Sequence, residues 1–180
     1  MIKLIILDVD GVLTDGTKIY DKKHNVIGKR FLCKDFTAIK RFVAAGIDVV
    51  MISGDNWNFD MASKRNIEFI CSRGEDLSLD KSRYLERISQ KHGVDLENMA
   101  FVGDDYFDLS MFHSLKYTFC PSDAPHIIKQ NSYHVLNSQG GSGVVVELYD
   151  YAITNNFFEE ASMEKVADLD IKEISSKEMS

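Results

Sequence analysis

Met1-Ile-Lys-Leu-Ile-Ile-Leu-Asp8-Val-Asp10-Gly11 is the stretch on which the fold turns. An apolar run rich in β-branched residues that stops at two aspartates reads as a strand buried on both faces and ending in a polar turn. The same aspartates interrupt the run before the apolar core of about 7–15 residues that an export signal needs.

Working outward, the pattern recurs. Further strands are expected over residues 48–52, 69–71, 99–102 and 117–120, and helices near 36–45, 57–65, 80–91 and 106–114. Strands alternating with helices predict an α/β fold, a doubly wound, mainly parallel, Rossmann-like sheet. One piece breaks the alternation: residues 18–31 read as a short β-hairpin around the polar turn Asp21-Lys22-Lys23-His24-Asn25, too small to be a cap domain. After Gly140-Gly141-Ser142-Gly143 a helix is expected from Val144 to about Ile153. Residues 1–156 are therefore taken as one domain, and the acidic stretch 157–180 as a loosely held tail.

Composition narrows the function. A net charge of −7 leaves no overall positive field for a nucleic-acid backbone or an anionic membrane surface. No stretch approaches the roughly 20 apolar residues that span a bilayer. Cys33, Cys71 and Cys120 are too scattered for a disulfide framework or a zinc site, which fits a reducing, cytoplasmic setting. The expected partner is a small molecule rather than nucleic acid or membrane. The five histidines lack metal-ligand spacing, and Phe36, Trp57 and Phe59 are read as core aromatics.

In an open α/β sheet, ligands bind beyond the carboxyl ends of the strands, so the residues after each apolar run carry the chemistry. Here they are Asp8-x-Asp10, Ser53-Gly54 and Gly103-Asp104-Asp105-x-x-Asp108. Carboxylates converging with a small hydroxyl form an oxygen-donor site suited to Mg2+ rather than zinc. Lys81, at the start of a helix, is the available cation.

These motifs, in the order LDVDGVLTD, Ser53, Lys81 and GDDYFD, resemble those of the haloacid dehalogenase superfamily of phosphohydrolases. The hairpin after Asp15, the segment from Arg30 to Asp35 and the late glycines resemble a narrower group. These are the capless phosphatases of phosphorylated 2-keto-3-deoxy sugar acids, of the octulosonate 8-phosphate and nonulosonate 9-phosphate types. The resemblance implies a magnesium-dependent phosphomonoesterase. Mg2+ on Asp8, Asp104 and the main-chain carbonyl of Asp10 would neutralise the phosphate dianion. Asp8 would be the nucleophile that becomes an aspartyl phosphate, and Asp10 the acid/base. Ser53 and Lys81 would hold the phosphoryl oxygens and the spreading charge. Asp105 and Asp108 would orient metal-bound water.

Where the resembling enzymes carry arginines in a TGR and a GGRG motif, this chain has Asp55 and Ser142, and Phe36 replaces the glycine of a DG pair. Lys34, Asp35, Lys40 and Asp55 are taken as substrate-binding residues, with the lysines for the sugar-acid carboxylate. The altered residues favour a nine-carbon acid over the eight-carbon one. The resemblance also implies a homotetramer whose neighbours close a site that lacks a cap. Two other readings are a phosphate-accepting receiver, disfavoured because residues 48–52 lead to Ser53 rather than an aspartate, and a non-catalytic homologue, disfavoured by intact motifs.

Overall fold

The computed structural model describes residues 1–73 and 79–178. The eight strands among the described residues are β1 (Leu4–Asp8), β2 (Ile19–Tyr20), β3 (Val26–Gly28), β4 (Asp48–Ser53), β5 (Glu68–Cys71), β6 (Met99–Val102), β7 (Tyr117–Cys120) and β8 (His134–Val135). The seven α-helices among the described residues are α1 (Cys33–Ala44), α2 (Phe59–Ser63), α3 (Leu85–His92), α4 (Leu109–Ser114), α5 (His126–Asn131), α6 (Val144–Thr154) and α7 (Met163–Glu178).

Six strands form one parallel sheet in the order β5-β4-β1-β6-β7-β8, while β2 and β3 pair as a separate antiparallel hairpin. All five residues of β1 are buried, as expected for a strand with a neighbour on each side and helices on both faces. Its side chains alternate between two cores. Ile5 and Leu7 face the layer of α1 and α6, whereas Leu4 and Ile6 pack with residues of α3, α4 and α5. Each fully buried aliphatic side chain contributes about 1.5–3 kcal/mol through removal from water. The chain winds outward from β1 to β4 and β5, then crosses over to β6, so the switch in winding direction falls between β1 and β6.

The anticipated strands and principal helices are present, and the hairpin strands are shorter than the stretch 18–31. Within the segment expected as a loosely held tail, the described residues pack on the body. Phe158 is buried in the core beside Phe42 and Tyr149, and α7 lies against α1. Asp170 and Glu173, three positions apart on α7, both meet Lys40 of α1, and Val166 is buried. The acidic residues that suggested a loose tail thus find a cation on the body of the protein. Trp57 and Phe59 also depart from the expected core placement, being 40% and 48% exposed.

Candidate active site

The switch point between β1 and β6 is where the acidic motifs meet. At the end of β1, the Val9 carbonyl accepts from the N–H groups of Leu13 (2.9 Å) and Thr14 (3.1 Å), folding the chain back directly after Asp8. The fold-back needs Gly11, at φ +90°, since a Cβ there would lie 2.0 Å from the Asp104 carboxylate. The late glycine loop braces the same turn: Gly141 N–H donates to the Val12 carbonyl (2.9 Å), and a Cβ on Gly140 would fall 2.2 Å from the Gly11 carbonyl oxygen.

Lys81 enters from the turn before α3, started by Asp80, whose carboxylate accepts from Ser82 N–H. Its ammonium lies 2.9 Å from Asp8 and 2.6 Å from Asp108. The second Asp108 oxygen accepts from the N–H groups of Asp104 (2.9 Å) and Asp105 (3.1 Å). Asp8, Asp104 and Asp108 each present a carboxylate oxygen, all within 4.8 Å of one another. Three acids face one lysine. Burial, with added repulsion from Asp108, raises the Asp8 carboxyl to about 7 against the pull of Lys81. Burial and the neighbouring Asp8 and Asp108 raise Asp104 to about 8.

Oδ1 of Asp104 is buried with no hydrogen-bond partner among the described residues. A buried carboxylate oxygen without a donor among surplus acids is a place for a divalent cation, and an all-oxygen donor set selects a hard one. Asp108 already has Lys81 and two N–H groups on its oxygens, so Asp8 and Asp104 have the lone pairs to spare. The donors present fit the group. Asp105 caps the turn Tyr106–Asp108 by accepting from Tyr106 N–H (2.7 Å).

Beside this floor stands a wall around Asp10. The Asp10 carboxylate accepts from Lys29 (2.7 and 2.9 Å), Asn58 Nδ2 (3.0 Å) and, at 3.4 Å, Ser53 Oγ. Ser53, buried at the end of β4, accepts from Asp55 N–H (3.0 Å) and Asn58 (3.1 Å). Asp55 accepts from Trp57 N–H and pairs with Lys18 (2.7 Å) and Lys29 (2.9 Å). Burial opposes ionisation of Asp55, but bonds from Lys18 and Lys29 overcome it and hold the carboxyl well below the usual range.

Floor and wall enclose a cavity of about 270 Å³ lined by Asp8, Asp10, Ser53, Asp55, Lys81 and Asp104, with Lys18, Arg73 and Phe107 toward its mouth. The Arg73 guanidinium lies 5.2 Å from the Phe107 ring.

Three expected substrate-binding residues do not line it. Asp35 is 1% exposed, and its Oδ1 accepts from the N–H groups of Val145 (2.9 Å) and Val146 (3.1 Å), so it caps the start of α6 instead of facing a ligand. Lys40 is engaged by α7 and lines a different cavity, of about 500 Å³, beside Asp48 and Glu68 at the opposite ends of the strands. Lys34 is exposed on the first turn of α1. The sequence reading missed Lys18, Lys29, Asn58 and Arg73. A signal existed for two of them: Ile19 pairs with Gly28, which sets Lys18 and Lys29 side by side at one end of the hairpin. Arg73 follows β5 as Ser53 follows β4, and the rule that strand ends carry ligands applies to it equally.

The sequence and the fold resemble those of known proteins. The pattern of the haloacid dehalogenase-like hydrolases matches residues 75–148. The 3-deoxy-D-manno-octulosonate 8-phosphate phosphatase of Haemophilus influenzae is 34% identical over 157 residues, covering 83% of this chain and 81% of the relative. Its cobalt-bound structure superposes with a TM-score of 0.76 at 33% identity, over 85% of this chain and 88% of that one. The Moraxella catarrhalis phosphatase of the same name, solved with magnesium, phosphate and KDO, gives a TM-score of 0.76 at 27% identity, over 87% and 89% of the two chains.

Proposed function

This chain belongs to the haloacid dehalogenase-like hydrolases and is a phosphoric monoester hydrolase; from that premise we propose that it dephosphorylates a 2-keto-3-deoxy sugar acid through an aspartyl phosphate on Asp8. The observation that carries the proposal is the buried Asp8 carboxylate, bonded to Lys81 and facing Asp104 on the floor of the cavity.

Mg2+ held by Asp8, Asp104 and the Asp10 carbonyl would supply charge neutralisation for the phosphate dianion. In the first step an Asp8 oxygen forms a bond to phosphorus as the phosphorus–ester oxygen bond breaks, and Asp10 gives the departing oxygen its proton. In the second, water attacks phosphorus, Asp10 takes up a proton, and the Asp8–phosphorus bond breaks to release phosphate. Lys81 fixes the nucleophile and shares the growing charge, while Ser53 holds a phosphoryl oxygen. Asp108 anchors Lys81 and the Asp104 and Asp105 main chain.

For the sugar acid, Lys40 and Asp35 are replaced by the cations at the mouth. Lys18, Lys29 and Lys81 all have carboxylate partners, and Arg73 is the lining cation with none among the described residues, so its guanidinium is assigned to the substrate carboxylate. Asp55 in place of an arginine favours a nonulosonate 9-phosphate, whose longer polyhydroxylated chain offers donors to an acid. Octulosonate 8-phosphate is the second reading, favoured by the relative of 34% identity. A panel of phosphate esters compared by kcat/KM tests both. A tenfold preference for the eight-carbon ester, about 1.4 kcal/mol of transition-state stabilisation, selects the second.

The cavity has no cap domain over it among the described residues, and Ile19, Tyr20 and Ile27 of the hairpin are 51%, 49% and 60% exposed. We assign the hairpin to the contact between subunits of a homotetramer. Light scattering at micromolar concentration checks this, and a monomer refutes it. No helix among the described residues is long and apolar enough to cross a membrane, and the expected setting is cytoplasmic.

A further inference from the structure

Lys29 is a lysine whose side chain is 0% exposed, carried on a small hairpin whose Ile19, Tyr20 and Ile27 face solvent. Burying an ammonium is costly unless donors and acceptors match. Here the match is complete: Lys29 Nζ donates to both oxygens of Asp10, to Asp55 (2.9 Å) and to Asn58 Oδ1 (3.0 Å), and it lies 5.4 Å from the Trp57 ring. Trp57, 40% exposed, therefore covers a charge instead of filling the core.

The acceptors belong to separate parts of the chain. Asp10 follows β1, whereas Asp55 and Asn58 follow β4. One ammonium joins both strand ends to the hairpin. Asn58 adds orientation, since its Nδ2 donates to the Asp10 oxygen that also meets Lys29, and its Oδ1 accepts from Lys29. The result fixes the rotation of the Asp10 carboxylate and the distance of the hairpin from it at once.

We infer that Lys29 is a positioning residue for the phosphoryl-transfer reaction, acting through Asp10. It holds the Asp10 carboxylate at the angle from which the departing ester oxygen is reached, and it makes the hairpin part of the catalytic structure. This rests on the proposed role of Asp10 as proton donor, and the two are separately testable. Misplacing a catalytic group by about 1 Å costs on the order of a hundredfold, which is the scale of effect expected.

The test is a double-mutant cycle of Lys29→Met and Asp10→Asn, each variant assayed by kcat/KM on phenyl phosphate and para-nitrophenyl phosphate with circular dichroism as a folding check. Lys29→Met should lower kcat/KM for phenyl phosphate about a hundredfold in the wild-type background and less than about threefold when Asp10 is already Asn. An equal loss in both backgrounds would make Lys29 a merely structural residue and overturn the inference. Asp10→Asn alone tests the proton-donor role, which fails if the two esters lose activity equally. Should Lys29→Met not fold, Lys29→Gln, which keeps an uncharged donor one bond shorter, is read in the same cycle against the same criterion.

Discussion

Two lysines in this protein each bridge two aspartates, with opposite consequences. Lys81 joins Asp8 and Asp108 on the floor of the cavity, and Lys29 joins Asp10 and Asp55 in its wall. Both side chains are nearly or fully buried. The neighbours differ. Asp104 adds a third acid to the floor against a single lysine, leaving a surplus of acids that a cation must balance, whereas Lys18 adds a second cation to the wall, so that two lysines face two acids there. Surplus charge makes the floor a place for metal and phosphate chemistry; balance makes the wall a lock that holds geometry.

The largest effect that can break this comparison lies on the floor. Asp8→Asn should leave the fold intact and lower phosphatase kcat by more than about a thousandfold, because an amide does not form the acyl phosphate. Turnover within about a hundredfold of wild type, measured by phosphate release, would contradict the assignment.

The second expectation concerns the surplus charge itself. In metal-free protein Asp8 and Asp104 have raised carboxyls, at about 7 and about 8. A raised folded-state pKa contributes stability that is full below the unfolded value near 3.8 and is lost as pH rises through the folded values. The metal-free melting temperature should therefore fall between pH 5 and pH 9, to an extent that Mg2+ reverses. At a hundredfold excess over its dissociation constant, Mg2+ should add about 2.7 kcal/mol, roughly 5–10 °C. Differential scanning calorimetry with and without Mg2+ measures both, and a cation effect independent of pH would argue against the acidic floor.

The third sharpens the account at the cavity mouth. Arg73→Ala should raise KM for the sugar-acid phosphate about tenfold or more, the equivalent of a charge-assisted hydrogen bond of about 1.5–3 kcal/mol, with little change for para-nitrophenyl phosphate. Similar losses on both substrates would remove Arg73 from carboxylate recognition.

The smallest effect lies far from either lysine and is a control. His92 bonds Asp48 (2.7 Å) and Glu68 (2.9 Å); burial opposes its charge, but these two acids raise its pKa above 6.5. Its pairing stabilises fully below about pH 6.5 and fades as pH rises through the folded value. His92→Gln should cost under about 1 kcal/mol at pH 6 and still less at pH 9 in urea unfolding, without touching kcat. A larger loss at pH 9 would reverse the sign.

The floor was legible in the sequence, and so were Asp10, Ser53 and Asp55 of the wall; the lysines and the asparagine that hold them were not, for a physical reason. Asp8 closes β1, and Asp104 and Asp108 lie just after β6, so a strand-end rule places them without knowledge of long-range packing. Lys29 reaches Asp10 from 19 residues away, through the way a hairpin folds over the sheet, which no local periodicity encodes. Asp35 was misplaced because its job, capping α6 more than a hundred positions later, depends on tertiary contact. Lys40 was misplaced for a related reason: its partners Asp170 and Glu173 lie in a segment whose acidity suggested a loose tail.

The central claim is that phosphate passes through Asp8, and trapping it there tests that claim most directly. Asp10→Asn lacks the base for the second step and should accumulate the intermediate during turnover of para-nitrophenyl phosphate. Acid quenching followed by peptide mass spectrometry should find one phosphoryl group on the peptide carrying Asp8, removable by hydroxylamine. A burst of para-nitrophenol with no phosphoryl group on that peptide, or with one on another residue, would contradict the account.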